Sequence, residues 1–271
     1  MVQCPILDLL PGRGYRPKVM LASHTRRTSR DQKPPWENHF RTRGLPKPQP
    51  SQPELRAYYE TLYAAHGPQH WWPGRTRFEV IVGAILTQNT SWSNVERAVR
   101  SLRGHKLLNP AAIETISQTR LARLIRSSGY FRQKARKLKA FVHFLREHHG
   151  SSLTRMFRTP TNTLRQQLLG VHGIGPETAD SILLYAGKHP VFVVDAYARR
   201  ILKRHHLAHG KESYEEIRML FERSLPSSPL LFNEYHALIV HTGKEYCRSK
   251  SPLCADCALR PYLPKTAEAS Q

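Results

Sequence analysis

Leu55, Tyr58, Tyr59, Leu62 and Tyr63 return to one face at steps of three and four, the period of an amphipathic helix. The same rhythm continues through about 76–88, 91–103, 118–127, 131–148, 161–169, 176–187, 196–207, 213–224 and 229–243. Turn signals such as "NP", "SSG", "HHG" and "GKHP" separate these stretches, since glycine, asparagine and proline interrupt helical φ/ψ. The run Val191–Val194 has the apolar continuity of a buried strand. It is short and isolated, so the pattern predicts an all-α fold. Residues 1–52 are rich in proline, arginine and polar residues without an apolar period and are expected to form a flexible tail.

Charge sharpens this picture. The 271 residues hold 42 basic and 20 acidic side chains, a formal charge of +22. Residues 1–50 contain 10 of the basic and 3 of the acidic ones, so the tail carries +7 and the body +15. A folded body so basic favours a polyanionic partner, most often nucleic acid. No apolar run reaches the roughly 18 residues of a membrane span, and the start lacks the basic-then-apolar order of a secretory signal. A cytoplasmic protein is expected, nucleoid-associated if bacterial. The cysteines number four, three of them within eleven residues, the look of a metal-type cluster in a reducing compartment rather than a disulfide framework.

Two segments have the shape of chemistry. "VHGIGPETAD" (171–180) sets Gly173 and Gly175 between two helices, where missing side chains let backbone N–H groups and a helix's positive end face a phosphate. Pro176 suits the first helical position. "VVDAYARRIL" (193–202) puts Asp195 after an apolar run at a helix cap. An ordinary helix corner and an ordinary capping aspartate explain each segment singly.

Together they resemble the helix-hairpin-helix DNA glycosylases related to endonuclease III, over about residues 54–264. "AILTQNTSW" resembles the family motif that puts a glutamine, here Gln88, into DNA. "SSGYFRQKA" resembles the loop that supplies a wedge, here Tyr130 and Phe131. Gly173, Ile174 and Gly175 of the hairpin are the implied DNA-binding backbone, and Asp195 the implied catalytic residue. Endonuclease III carries a lysine in the hairpin's second helix where this chain has Glu177. A carboxylate forms no Schiff base, so that lyase route is closed. Glu177 then reads as a helix-start carboxylate turned away from phosphate.

The branch resembled most is the third type of 3-methyladenine DNA glycosylase, which shares "WWP", "LTQNT" and "VVD-x-Y". That likeness implies a base pocket of Trp71, Trp72, Pro73 and Trp92. Breaking an N-glycosidic bond builds positive charge on the sugar, which an ionised carboxylate stabilises while orienting or deprotonating a water. A cationic alkylated purine leaves without a general acid and suits aromatic faces. An endonuclease III-like enzyme for oxidised pyrimidines or mismatches, and a non-catalytic DNA-binding protein, are the rival readings. Arg132, Lys134, Arg199 and Arg200 are candidate phosphate contacts.

The resemblance implies two lobes flanking a DNA cleft: a six-helix barrel at 75–187, and a discontinuous domain of 53–74 and 188–264. Tails are expected at 1–52 and 265–271. The expected partner is damaged double-stranded DNA, bound by a monomer. Cys247, Cys254 and Cys257 resemble three of the four ligands of endonuclease III's [4Fe–4S] cluster, the fourth position being Leu263. A loop held by packing, a non-cysteine fourth ligand, and a zinc site using His236 or His241 all stay open.

Overall fold

The structure, a computed structural model, describes residues 52–72 and 74–264. Apart from Gln52, which opens the first helix, the expected tails lie outside the described residues, as does Pro73. Helices account for the regular structure, and no strand occurs among the described residues.

The chain opens with α1 (Gln52–His66), α2 (Arg77–Leu86) and α3 (Trp92–Gly104). Thr76 starts α2 by accepting the Glu79 N–H at 3.1 Å. Phe78–Leu86 are buried all round, as befits a helix with apolar residues on every face. It packs against α3 and later helices. Two short helices the periodicity misses, α4 (Pro110–Thr115) and α7 (Leu153–Met156), flank α5 (Gln118–Leu124) and α6 (Phe131–His149). Asn109 and Ser152 cap α4 and α7. At one turn or so, each is too short to display a 3.6-residue period. Gly150, at φ +57°, closes α6.

Next come α8 (Thr161–Leu169) and α9 (Pro176–Ser181), the latter running on as a π-helical turn over Ile182–Gly187. Val191–Val194 is buried but joins no sheet: it is irregular backbone leading into α10 (Ala196–Arg204), with the Phe192 and Val194 N–H groups taken by Glu222 and Tyr214. Its Phe192 stacks on Phe221 at 3.8 Å between ring centres. Helices α11 (Tyr214–Ser224) and α12 (Pro229–Glu245) follow. Ser213 and Glu216 form a reciprocal capping box on α11. Ser228 caps α12, with Pro229 in its first turn.

Helix α12 packs on α1 and α10, while α2 packs on α6, α9 and the π-turn. A buried ion pair links three helices. Arg165 on α8 holds Asp180 on α9 at 2.7 and 3.0 Å and reaches Glu215 on α11 at 2.6 Å. Asp180 is fully enclosed. Burial pushes its carboxyl up and the guanidinium opposes this. Removing one partner strands a buried charge, a loss of about 3–5 kcal/mol.

Candidate DNA-binding and catalytic cleft

A cleft of about 490 Å³ lies where the α2–α3 loop, the turn before α9, and the starts of α10 and α11 converge. Gln88, Lys137, Glu177, Asp195, Arg199 and Tyr214 contribute polar groups to its lining.

Asp195 takes its place through capping. Its Oδ1 accepts the Tyr197 and Ala198 N–H groups at 2.9 and 2.8 Å, so the carboxylate sits on the positive end of α10. The side chain is 0% exposed, and Asp195 is one of the residues that line the cleft. Its second oxygen, Oδ2, has no hydrogen-bond partner and faces His236 Nε2 at 3.6 Å. Burial lowers the His236 pKa, although the charge of Asp195 works against the shift, so the imidazole is neutral near pH 7.

The hairpin divides its two glycines. Gly173 needs its freedom: φ is +80°, and a β-carbon there would meet the Lys137 side chain at about 2.5–2.7 Å. Gly175 is extended, at φ −92°, and a β-carbon there would meet only open space. Left-handed backbone thus accounts for the first glycine and not the second. The Ile174 side chain is buried and its N–H is bonded to the Val171 carbonyl at 3.0 Å. Glu177 is among the residues that line the cleft, and its charge acts on Tyr214.

Gln88 is tied to the hairpin rather than projecting freely. Its amide donates to the Gly173 carbonyl at 3.1 Å and to Thr178 Oγ1 at 2.9 Å. Lys137 Nζ donates to Gln88 Oε1, and burial lowers that ammonium's pKa. Tyr130 is 65% exposed, at φ +44° just before α6. Phe131 is half-buried beneath the Arg132 guanidinium.

The tryptophans gather beside the cleft. Trp72 lies 5.3 Å from Trp92, 4.9 Å from Tyr185 and 6.0 Å from Trp71 between ring centres. No tryptophan is among the described residues that line the cleft. Gly83 lets this cluster press on α2, since a β-carbon there would sit 3.2 Å from Trp72. From α12, Asn233 donates to the Trp71 carbonyl at 2.7 Å, and Glu234 accepts the Gln69 N–H at 2.6 Å. Tyr185 joins the cluster to the cleft: its hydroxyl is 2.6 Å from His236 Nδ1. Sequence reasoning missed Tyr185, Lys137, Asn233 and the role of His236. Nothing in their local patterns marks them, because each acts across at least forty residues of chain.

Two basic candidates for phosphate contact are structural. Lys134 is 2% exposed and donates to the Leu86 carbonyl at 2.9 Å and to that of Ser128. Arg200 donates to the Cys247 and Gly243 carbonyls at 2.6 and 2.8 Å. Arg199 lines the cleft, with one N–H on the Glu212 carbonyl. Arg132 is exposed.

Cys247, Cys254 and Cys257 share one small pocket with Leu263, Arg204 and His205. Arg204 donates to Cys247 Sγ at 3.2 Å, and burial pushes the Cys257 thiol up. Among the described residues, no three or more histidines, cysteines or acids are arranged to hold a metal. His236 belongs to Asp195, and His241 packs on His66 at 4.5 Å. Three thiols facing a leucine do not fit a four-thiolate cluster, and neither His236 nor His241 lines the pocket that the three cysteines share.

Comparison with known proteins accords with this geometry. The profile of the HhH-GPD superfamily base excision DNA repair proteins matches residues 82–227. A Methanocaldococcus jannaschii protein, provisionally described as a DNA repair glycosylase, is 45% identical over 206 residues, 75% of this chain and 93% of its own. Endonuclease III of Sulfolobus acidocaldarius is 29% identical over 198 residues, covering 70% and 83%. Among solved structures, the H. pylori 3-methyladenine DNA glycosylase bound to 1,N6-ethenoadenine is 29% identical with a TM-score of 0.63, over 72% of this chain and 97% of that one. A trapped endonuclease III–DNA covalent intermediate shares the fold, with a TM-score of 0.70 at 20% identity over 81% and 99%. The matched family region, the hairpin and the capped aspartate facing one cleft together make this chain a member of the HhH-GPD superfamily of base excision DNA repair glycosylases.

Proposed function

We propose that this glycosylase is monofunctional and releases alkylated purines such as 3-methyladenine by hydrolysing the N-glycosidic bond. The observation that carries the reading is the enclosed Asp195 carboxylate, capping the start of α10 at a position that lines the cleft. An anion fixed there stabilises the positive charge that grows on the sugar as the base departs. Its side chain is 0% exposed, which favours action through its field over deprotonation of a solvent water. A base already carrying positive charge needs no general acid to leave. Of the tryptophan cluster, Trp71 and Trp72 keep part of their surface exposed, and an aromatic face there would attract a cationic base by stacking and cation–π contact, with the buried Trp92 backing Trp72. The 29% identical H. pylori structure, a 3-methyladenine glycosylase holding an alkylated adenine derivative, supports the same substrate class. Glu177 in the hairpin supports hydrolysis without strand cleavage, since it has no amine to attack the sugar. No step passes through the cysteine loop.

The test uses duplexes with single defined lesions. Release of free 3-methyladenine without a strand break is expected. Asp195→Asn should lower single-turnover release by about a hundredfold or more while leaving duplex affinity within about twofold. Strand cleavage would instead indicate a lyase, and binding without release a recognition module. Undiminished release by Asp195→Asn would remove that residue from its role.

A further inference from the structure

We propose that His236 is the positioning residue for Asp195, presenting an Nε2–H to the free carboxylate oxygen while Tyr185 holds the proton on that side of the ring. This rests on the reading of Asp195 as the charge-stabilising group.

The geometry begins with two unsatisfied atoms. Asp195 spends Oδ1 on two backbone N–H groups, leaving Oδ2 buried without a partner. His236 Nε2 is likewise buried without a partner, and the two atoms face each other at 3.6 Å. Both side chains are 0% exposed. A buried polar atom left unpaired is disfavoured, so each atom has in the other its nearest means of satisfaction. At 3.6 Å they are apart by more than a hydrogen bond allows, and a closure of about 0.6 Å makes one.

The tautomer follows from the other nitrogen. Tyr185 Oη is 2.6 Å from His236 Nδ1. Were Nδ1 to carry the proton, the bare lone pair of Nε2 would face the carboxylate, and lone pair and anion repel. With Tyr185 donating to Nδ1, Nε2–H points at Oδ2 and every contact is attractive. Burial keeps the imidazole neutral, so one tautomer serves. The other titratable groups lining the cleft are Lys137, Glu177, Arg199 and Tyr214; no hydrogen bond or ion pair joins any of them to Asp195 Oδ2. Tyr185 also lies 4.9 Å from Trp72. The donor chain thus runs from the wall proposed for the base to the anion proposed for the sugar.

The experiment measures charge recognition beside catalysis. Affinity is compared for two duplexes, one with a neutral tetrahydrofuran abasic analogue and one with a cationic pyrrolidine analogue. Wild type should prefer the cation. His236→Phe should lose about tenfold of that preference and of single-turnover release, with tetrahydrofuran affinity unchanged. His236→Gln, whose amide still offers a donor, should keep most of both. Tyr185→Phe should lose several-fold by freeing the tautomer. A folded His236→Phe with wild-type preference and rate overturns the proposal. Should that variant not fold, an undiminished preference in Tyr185→Phe overturns it equally. If wild type neither prefers the cation nor releases base, the fault lies with the Asp195 reading itself. Release abolished by Asp195→Asn but indifferent to both His236 variants isolates the failure to this inference.

Discussion

Lys134 shows what one side chain does when an expected ligand contact turns inward. Its ammonium ties the end of α2, through Leu86, to the turn at Ser128. Burial, with Lys137 adding to it, lowers its pKa to about 8, against about 10.4 for an unfolded lysine. Between those values the unfolded chain binds more protons than the folded one, so stability rises as pH climbs from about 8 to about 10.4. Denaturation midpoints across that range should show the rise, and Lys134→Met should flatten it. The two hairpin glycines differ just as clearly. Gly175→Ala should leave stability within about 0.5 kcal/mol, since its backbone is ordinary and the space open. Its cost should fall on DNA affinity, where the added methyl meets an approaching phosphate. Gly173→Ala should destabilise by about 1 kcal/mol or more, because φ is +80° and Lys137 stands in the way. Equal effects at both positions would contradict this division.

At the scale of elements, the site depends on how closely α10 approaches α12. Gly243 permits it: a β-carbon there would sit 2.7 Å from Tyr197 Cβ and Cγ, and the Gly243 carbonyl receives Arg200. Tyr197 is two residues past Asp195 and Gly243 two turns past His236, so this contact sets the spacing of the carboxylate and the imidazole. Gly243→Ala should lower stability by about 1–3 kcal/mol, the usual cost of overpacking. In the protein that remains folded, base release should fall more than duplex affinity. Calorimetry with single-turnover kinetics checks both, and a variant of native stability and rate would show that the contact is slack. The long helices were legible because each repeats its apolar face several times. Helices α4 and α7 were not, being too short for a period. The π-turn over Ile182–Gly187 was read as plain helix, since apolar spacing does not distinguish an i→i+5 bond from an i→i+4 one.

For the whole molecule, charge makes the broadest prediction. Affinity for undamaged duplex should fall steeply with salt, as counterions released from DNA dominate non-specific binding. Deleting residues 1–50, which hold +7 of the +22, should make the slope of log affinity against log salt shallower by a few units. An unchanged slope would mean that the body alone contacts phosphate. The all-α architecture and the cleft are those of the HhH-GPD superfamily. No described helix is long and apolar enough to cross a membrane.

Helices, turns, the capped aspartate and the basic body were all readable from residues taken in order, because periodicity, capping and net charge are local or additive properties. Proximity is neither. His236 looked like a spare metal ligand beside three cysteines, yet folding places it against an aspartate 41 positions earlier in the chain. Lys134 looked like a phosphate contact and is buried under carbonyls; Glu177 looked like a bystander and lines the cleft. Which polar groups are left without water, and which of them meet, follows only from the packing of helices far apart in sequence.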